Sequence, residues 1–128
     1  MNKQPILTSE APLPGGAYSQ AVRSGRLLFT AGEVGIDPIT GVLPPTLGEQ
    51  TAQAIRNVDA IIRATGGSLA SVVKTTCFLR NMKDFPTFDE VYSKMFPDPK
   101  PARSTIGVDL VGSFLVEIEA VAVLGEGT

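Results

Sequence analysis

Arg103 and Glu119 are the side chains whose type and setting suit chemistry on a small polar molecule. Arg103 follows Pro97, Pro99 and Pro101, a stretch stiff enough to aim a guanidinium in a defined direction. Its paired N–H donors match the two oxygens of a carboxylate, so a fixed fork there suits an anionic ligand. Glu119 lies two residues from Glu117 and from Val121. In a strand these three share one side, which places the Glu119 carboxylate in an expected partly desolvated spot. Burial there would raise its pKa and a guanidinium would lower it. The alternative for either residue is structural, an ion pair at the surface or between subunits. Tyr18 follows Gly15-Gly16, a flexible approach that lets a phenol reach a cleft edge, although a tyrosine at a strand start is more often half-buried packing. Cys77, inside an apolar strand, reads as core packing.

The elements that must position these groups follow from periodicity. Tyr18 to Val22 and Leu27 to Thr30 read as two strands of a hairpin turning at Ser24-Gly25, and Ala31 to Ile36 reads as a continuation of the sheet before an Asp37–Gly41 turn. Thr46 stands three residues before Glu49, the spacing of a reciprocal helix cap. Leu47, Ala54, Ile55, Val58, Ile61 and Ile62 then share a helical face, and Gly66-Gly67 supplies the stop. Val72 to Leu79 is β-branched and reads as a strand. Phe85, Phe88, Val91, Tyr92 and Met95 recur at helical steps, ended by the prolines. Strands at Arg103–Val108 and 115–124 complete the chain. The order predicts an α+β domain, a mixed six-stranded sheet with two helices on one face. Both sides of the last strand carry apolar residues, so the helix-free face is expected to be covered by other subunits.

Composition narrows the classes. At 128 residues and 43% hydrophobic, the chain fits one domain, 1–128, around one core. A net charge of -2 with scattered Lys and Arg disfavours a nucleic-acid partner. One cysteine and no histidine argue against a disulfide framework and against most metal sites. Met1 to Pro12 lacks the basic and apolar regions of a leader, and no apolar run approaches the ~20 residues that span a bilayer, so no membrane role and a cytoplasmic location are expected.

Six motifs in order, Tyr18-Ser19-Gln20-Ala21, Thr30-Ala31-Gly32, Val73-Lys74-Thr75-Thr76, Asp84-Phe85, Pro101-Ala102-Arg103-Ser104 and the run Val116 to Val123, closely resemble the Rid (reactive intermediate deaminase, or YjgF) family, including 2-iminobutanoate/2-iminopropanoate deaminases. The likeness runs from about Ala11 to Leu124. It implies a fold resembling bacillus chorismate mutase, assembled as a homotrimer with sites between subunits. It also implies hydrolysis of enamines and imines such as 2-aminoacrylate to 2-oxo acids and ammonia, without a cofactor or a metal. Residue by residue, it implies that Arg103 binds the substrate carboxylate, that Glu119 positions water and relays protons, and that Tyr18 edges the pocket. Such an anchor removes orientational entropy, and such a relay serves proton transfer.

The sequence departs from the family pattern at several places. Ala31 stands where many members have Ser, Thr105 where Cys is frequent, Glu33 where Gln is common and Ala17 where Pro is common. Ala31 and Thr105 are pocket-lining, substrate-binding positions under the resemblance, and Glu33 adds negative charge near an anion site if it faces inward. The stretch Asp109 to Ser113 is one residue shorter than usual. Two other readings stand beside the deaminase: a noncatalytic small-carboxylate-binding or regulatory module, and a pathway-specific enamine deaminase. Ribonuclease action, also attributed to the family, is disfavoured by the missing histidine and the negative charge.

Overall fold

In the computed structural model, which describes residues 2–125, strands β1 (Gln4–Ile6), β2 (Ala21–Ser24), β3 (Leu27–Thr30), β4 (Val72–Leu79), β5 (Ala102–Gly107) and β6 (Val116–Val123) form one sheet in the order β1-β2-β3-β6-β4-β5. Only the β4–β5 pair is parallel; the remaining pairs are antiparallel. The helices α1 (Leu47–Arg63) and α2 (Phe85–Met95) pack against each other and cover one face.

Alternation along β6 explains why that face is the core. Val116, Ile118, Ala120 and Ala122 are buried under the helices, while Glu117, Glu119, Val121 and Val123 project the other way and are half-buried or exposed. Ile55, Val58, Ile61 and Ile62 of α1 are fully buried against the same layer. Each such side chain contributes roughly 1.5–3 kcal/mol through apolar burial. Cys77 is buried among them, as its apolar strand implies, and burial pushes its thiol up to about 11.

The helix boundaries follow local chemistry. The Thr46 side chain accepts a bond from the Glu49 amide (3.2 Å), as its spacing predicts. The reciprocal half differs: the Glu49 carboxylate accepts the Thr46 hydroxyl at 2.7 Å. At the other end Gly66, with φ of 88°, donates to Arg63 O and Gly67 donates to Ile62 O, the paired bonds of a left-handed stop.

Two expectations about strands are corrected. The chain from Ala31 to Ile36 is not a strand; it touches the sheet only through a bridge between Glu33 and Ile118. Asn57 of α1 explains this departure, because its amide donates to both Val34 O and Ile36 O (2.9 Å each) and draws the segment toward the helix. The sixth strand is instead β1, which Pro5 confines to a short edge. Likewise, the strand expected from Tyr18 begins at Ala21, and Tyr18 lies in the turn before it. Gln20, buried behind that turn, accepts the Thr8 amide (2.7 Å) and donates to Pro12 O (2.8 Å), which ties the N-terminal arm over the sheet. No helix among the described residues is long and apolar enough to cross a membrane.

Candidate active site

Arg103 sits on β5, an edge strand, opposite Thr75 of β4. Thr75 is buried beneath α2, so the Arg103 side chain rises on the helix side of the sheet. There its guanidinium meets three rings of α2, with Cζ 4.7 Å from the centre of Tyr92, 5.4 Å from Phe88 and 5.5 Å from Phe85. A ring face attracts a cation through its quadrupole, so this cradle fixes the fork without neutralising it. Asp89, on the same helix, accepts a hydrogen bond from Nη1 at 2.8 Å. Tyr92 is itself anchored, sharing a 2.7 Å hydrogen bond with Thr75, and burial raises its phenol pKa. Thr105, opposite Cys77, follows Arg103 on the same side of β5.

Around Arg103 lies a small hollow lined by Asp89, Tyr92, Ser93, Lys100, Pro101 and Arg103. Lys100 is occupied, donating to Ser93 O (2.6 Å) and to Phe96 O at the C-terminal end of α2. Arg103 is therefore the guanidinium of this hollow, with Asp89 already on one of its nitrogens.

A larger cleft of about 710 Å³ opens elsewhere, where the N-terminal arm, the segment after β3 and the 111–114 turn meet. Tyr18 and Ala31 line it, together with Gly32, Glu33 and Glu117. The Tyr18 hydroxyl accepts the Gly15 amide at 3.1 Å, which folds the ring over the mouth. Gly32 lies against the Glu117 side chain, and a Cβ there would push that carboxylate aside. Glu33 is only 5% exposed, and it does face this cleft. Burial first, and the neighbouring Glu117 charge second, push its carboxyl up to about 8. Glu117 is also raised, by burial and then by Glu119.

The chain thus gathers the expected site residues into separate groups. Arg103 and Thr105 stand together on the helix side of β5, and Tyr18 and Ala31 stand together in the cleft. Glu119 pairs in register with Thr76 and projects from the helix-free face, where it is exposed rather than partly desolvated. Within one chain, Arg103 and Glu119 therefore lie on opposite sides of the sheet. Sequence reasoning did not supply Asp89 as the partner of Arg103, nor Glu117 as a cleft residue. Asp89 carried a readable signal, because it lies one helical turn from Phe85 and beside Phe88 on the face that meets Arg103.

The endoribonuclease L-PSP family profile matches residues 8–124. The chain is 44% identical over 122 residues to a RutC family protein of Pyrococcus horikoshii, spanning 94% of this chain and 97% of that one. It is 42% identical over 125 residues to the 2-iminobutanoate/2-iminopropanoate deaminase of Rattus norvegicus, covering 96% and 91% of the two chains. The crystal structure of E. coli TdcF with bound serine superposes with a TM-score of 0.92 at 36% identity, covering 95% of this chain and 99% of that one. With a profile matching almost end to end and relatives above 40% identity in full-length register, the chain belongs to the endoribonuclease L-PSP family, which is the Rid or YjgF family.

Proposed function

We propose that this protein is an enamine and imine deaminase, hydrolysing 2-aminoacrylate- and 2-iminobutanoate-type intermediates to 2-oxo acids and ammonia. The observation that carries the reading is the Arg103 guanidinium, held at a sheet edge by three aromatic rings and one carboxylate. A planar cation fixed in this way orients a planar carboxylate, and orientation supplies much of what a fast solution reaction needs from a protein. Kinship to the rat 2-iminobutanoate/2-iminopropanoate deaminase supports the same substrate class. Thr105, further along β5, lines the carboxylate side, and Glu119 relays protons between attacking water and the departing nitrogen.

Arg103 and Glu119 occupy opposite sides of one sheet, which favours a site assembled from two chains. The helix-free face supports this assembly, because Leu27, Phe29, Ile106 and Val123 expose apolar surface there. The assembly is a homotrimer, with Tyr18 and Ala31 from one subunit lining the pocket. The ligand set argues against a zinc or iron site built from imidazole and thiolate, for the chain contains no histidine and its one cysteine is buried. RNA cleavage fits less well, since the larger cleft presents two carboxyls and the net charge is -2.

The test couples a pyridoxal phosphate dehydratase acting on serine or threonine to this protein, with imine lifetime followed by semicarbazide trapping. Wild type is expected to shorten the imine lifetime, and Arg103→Ala to lose nearly all of that effect. No acceleration by wild type, together with retained binding of 2-oxobutanoate, would replace the enzyme with a noncatalytic carboxylate-binding module.

A further inference from the structure

We propose that Arg80 is a positioning residue of the deaminase, one that governs how bulky a side chain the imine can carry by holding Val111 and Phe114 in place. The proposal rests on the deaminase reading and on its pocket shared between subunits.

Three segments meet at the Tyr18 cleft, and one side chain ties each of them. Gln20, fully buried, holds the N-terminal arm through Thr8 and Pro12. Asn57, fully buried on α1, holds the segment after β3 through Val34 O and Ile36 O. The third wall is the 110–114 turn, which contributes Val111 and Phe114. Arg80, directly after β4, holds this one from behind. Its Nε donates to Phe114 O at 2.8 Å, and its Nη2 donates to Leu110 O at 2.7 Å and to Gly112 O at 2.9 Å. The Arg80 amide adds a bond to Leu115 O at 3.0 Å.

The turn has little else to define its shape. Its internal backbone bond, from the Phe114 amide to Val111 O, is long at 3.5 Å. Gly112 sits at a φ of 60°, and a Cβ there would meet open space. Val111 is 83% exposed, so burial within the chain does not pin it. Gln50 accepts the Leu115 amide at 3.0 Å, which anchors the entry to β6 just past the turn. Three carbonyls converging on one guanidinium therefore set where Val111 and Phe114 stand. A planar fork suits this task, because its donors keep a fixed geometry that an ammonium lacks. Among the described residues Arg80 forms no ion pair, so no carboxylate draws the fork away.

Val111 and Phe114 are apolar, so they meet the apolar part of a bound imine, while its carboxylate belongs to Arg103. An apolar pocket separates ligands that differ by one methylene by about 10- to 200-fold, provided that its walls stand still. A wall clamped by Arg80 keeps its place against a larger ligand, and an unclamped one yields.

Imines generated from 2-aminobutyrate and from phenylalanine by an L-amino acid oxidase, timed by semicarbazide trapping, give the ratio of kcat/KM for a small and a bulky substrate. Loss of folded protein lowers both values alike, so the ratio reports the wall and not stability. We expect Arg80→Ala to shift the ratio by about tenfold or more toward the bulky imine, mainly through KM. Gly112→Val strains the turn away from Arg80, and Val111→Ala trims the wall. Both positions are exposed, and both variants are expected to shift the ratio in the same direction. An unchanged ratio in folded Arg80→Ala would overturn the proposal; if that variant does not fold, an unchanged ratio in the other two does so. Turnover with an unchanged ratio leaves the deaminase reading standing. No turnover by wild type removes that reading, and calorimetric affinities for 2-oxobutanoate and 2-oxo-3-phenylpropanoate then decide on the wall by the same ratio. Absence of binding as well would overturn both.

Discussion

Glu33 and Asp89 show how single carboxyls bias this molecule. Folding lifts the Glu33 carboxyl to about 8, against roughly 4.3 for an exposed glutamate. Between those values the folded chain holds a proton that the unfolded chain has released, so Glu33 lowers stability as pH rises through that window. Below it both states are protonated and Glu33 contributes nothing. Urea unfolding should therefore find Glu33→Gln more stable than wild type at pH 9, by on the order of a few kcal/mol, with the gap closing by pH 4. Parallel midpoints at all pH values would show that Glu33 is not held neutral. Asp89, half-exposed, competes with any carboxylate for Arg103. Asp89→Asn should tighten binding of 2-oxobutanoate by about two- to fivefold, less so at high salt, because an ion pair this accessible is worth under about 1 kcal/mol. Weaker binding in calorimetry would instead make Asp89 a residue that positions the guanidinium.

Elements turn these residues into a site through a few side-chain ties. Asn57 holds the cleft wall from the middle of α1, which is why the segment after β3 leaves the sheet. Asn57→Ala would strip donors from two carbonyls of a packed segment, each worth about 1–3 kcal/mol if left unpaired. The expected result is a loss of about 2–4 kcal/mol in chemical denaturation with a larger relative loss of imine turnover than Arg56→Ala on the exposed side of the helix. Equal turnover in the two variants would mean that the cleft wall does not serve the reaction. The helices themselves were legible, since the Thr46 cap, the Ile55–Ile62 face and the glycine stop are local. Ala31 to Ile36 was not, because its apolar residues satisfy a strand pattern and only the distant Asn57 amide decides otherwise.

Across the molecule the helices bury one side of the sheet and leave Leu27, Phe29, Ile106 and Val123 at 37–45% exposure on the other. Apolar side chains exposed on this face predict self-association. Light scattering at micromolar concentration should report an oligomer of trimer mass, and Phe29→Asp should shift it toward monomer and abolish turnover. A stable wild-type monomer would remove the shared site. Placement of Arg103 and Glu119 on opposite sides of the same sheet belongs to this scale, because strand order and register set it.

Taken alone, the sequence determined the helices, five of the six strands with the start of β2 displaced, the division of β6 into two sides, and the family, because periodicity, caps and motifs are carried by neighbouring residues. Tertiary structure alone decided that Tyr18 lies in a turn, that β1 is the outer strand, and that Glu33 faces a cleft beside Glu117. It also decided that Asp89 and three rings hold Arg103. Each of these depends on which strand lies beside which and on what a side chain meets far along the chain. Spacing specifies the direction of a side chain, but its surroundings exist only once the sheet has closed.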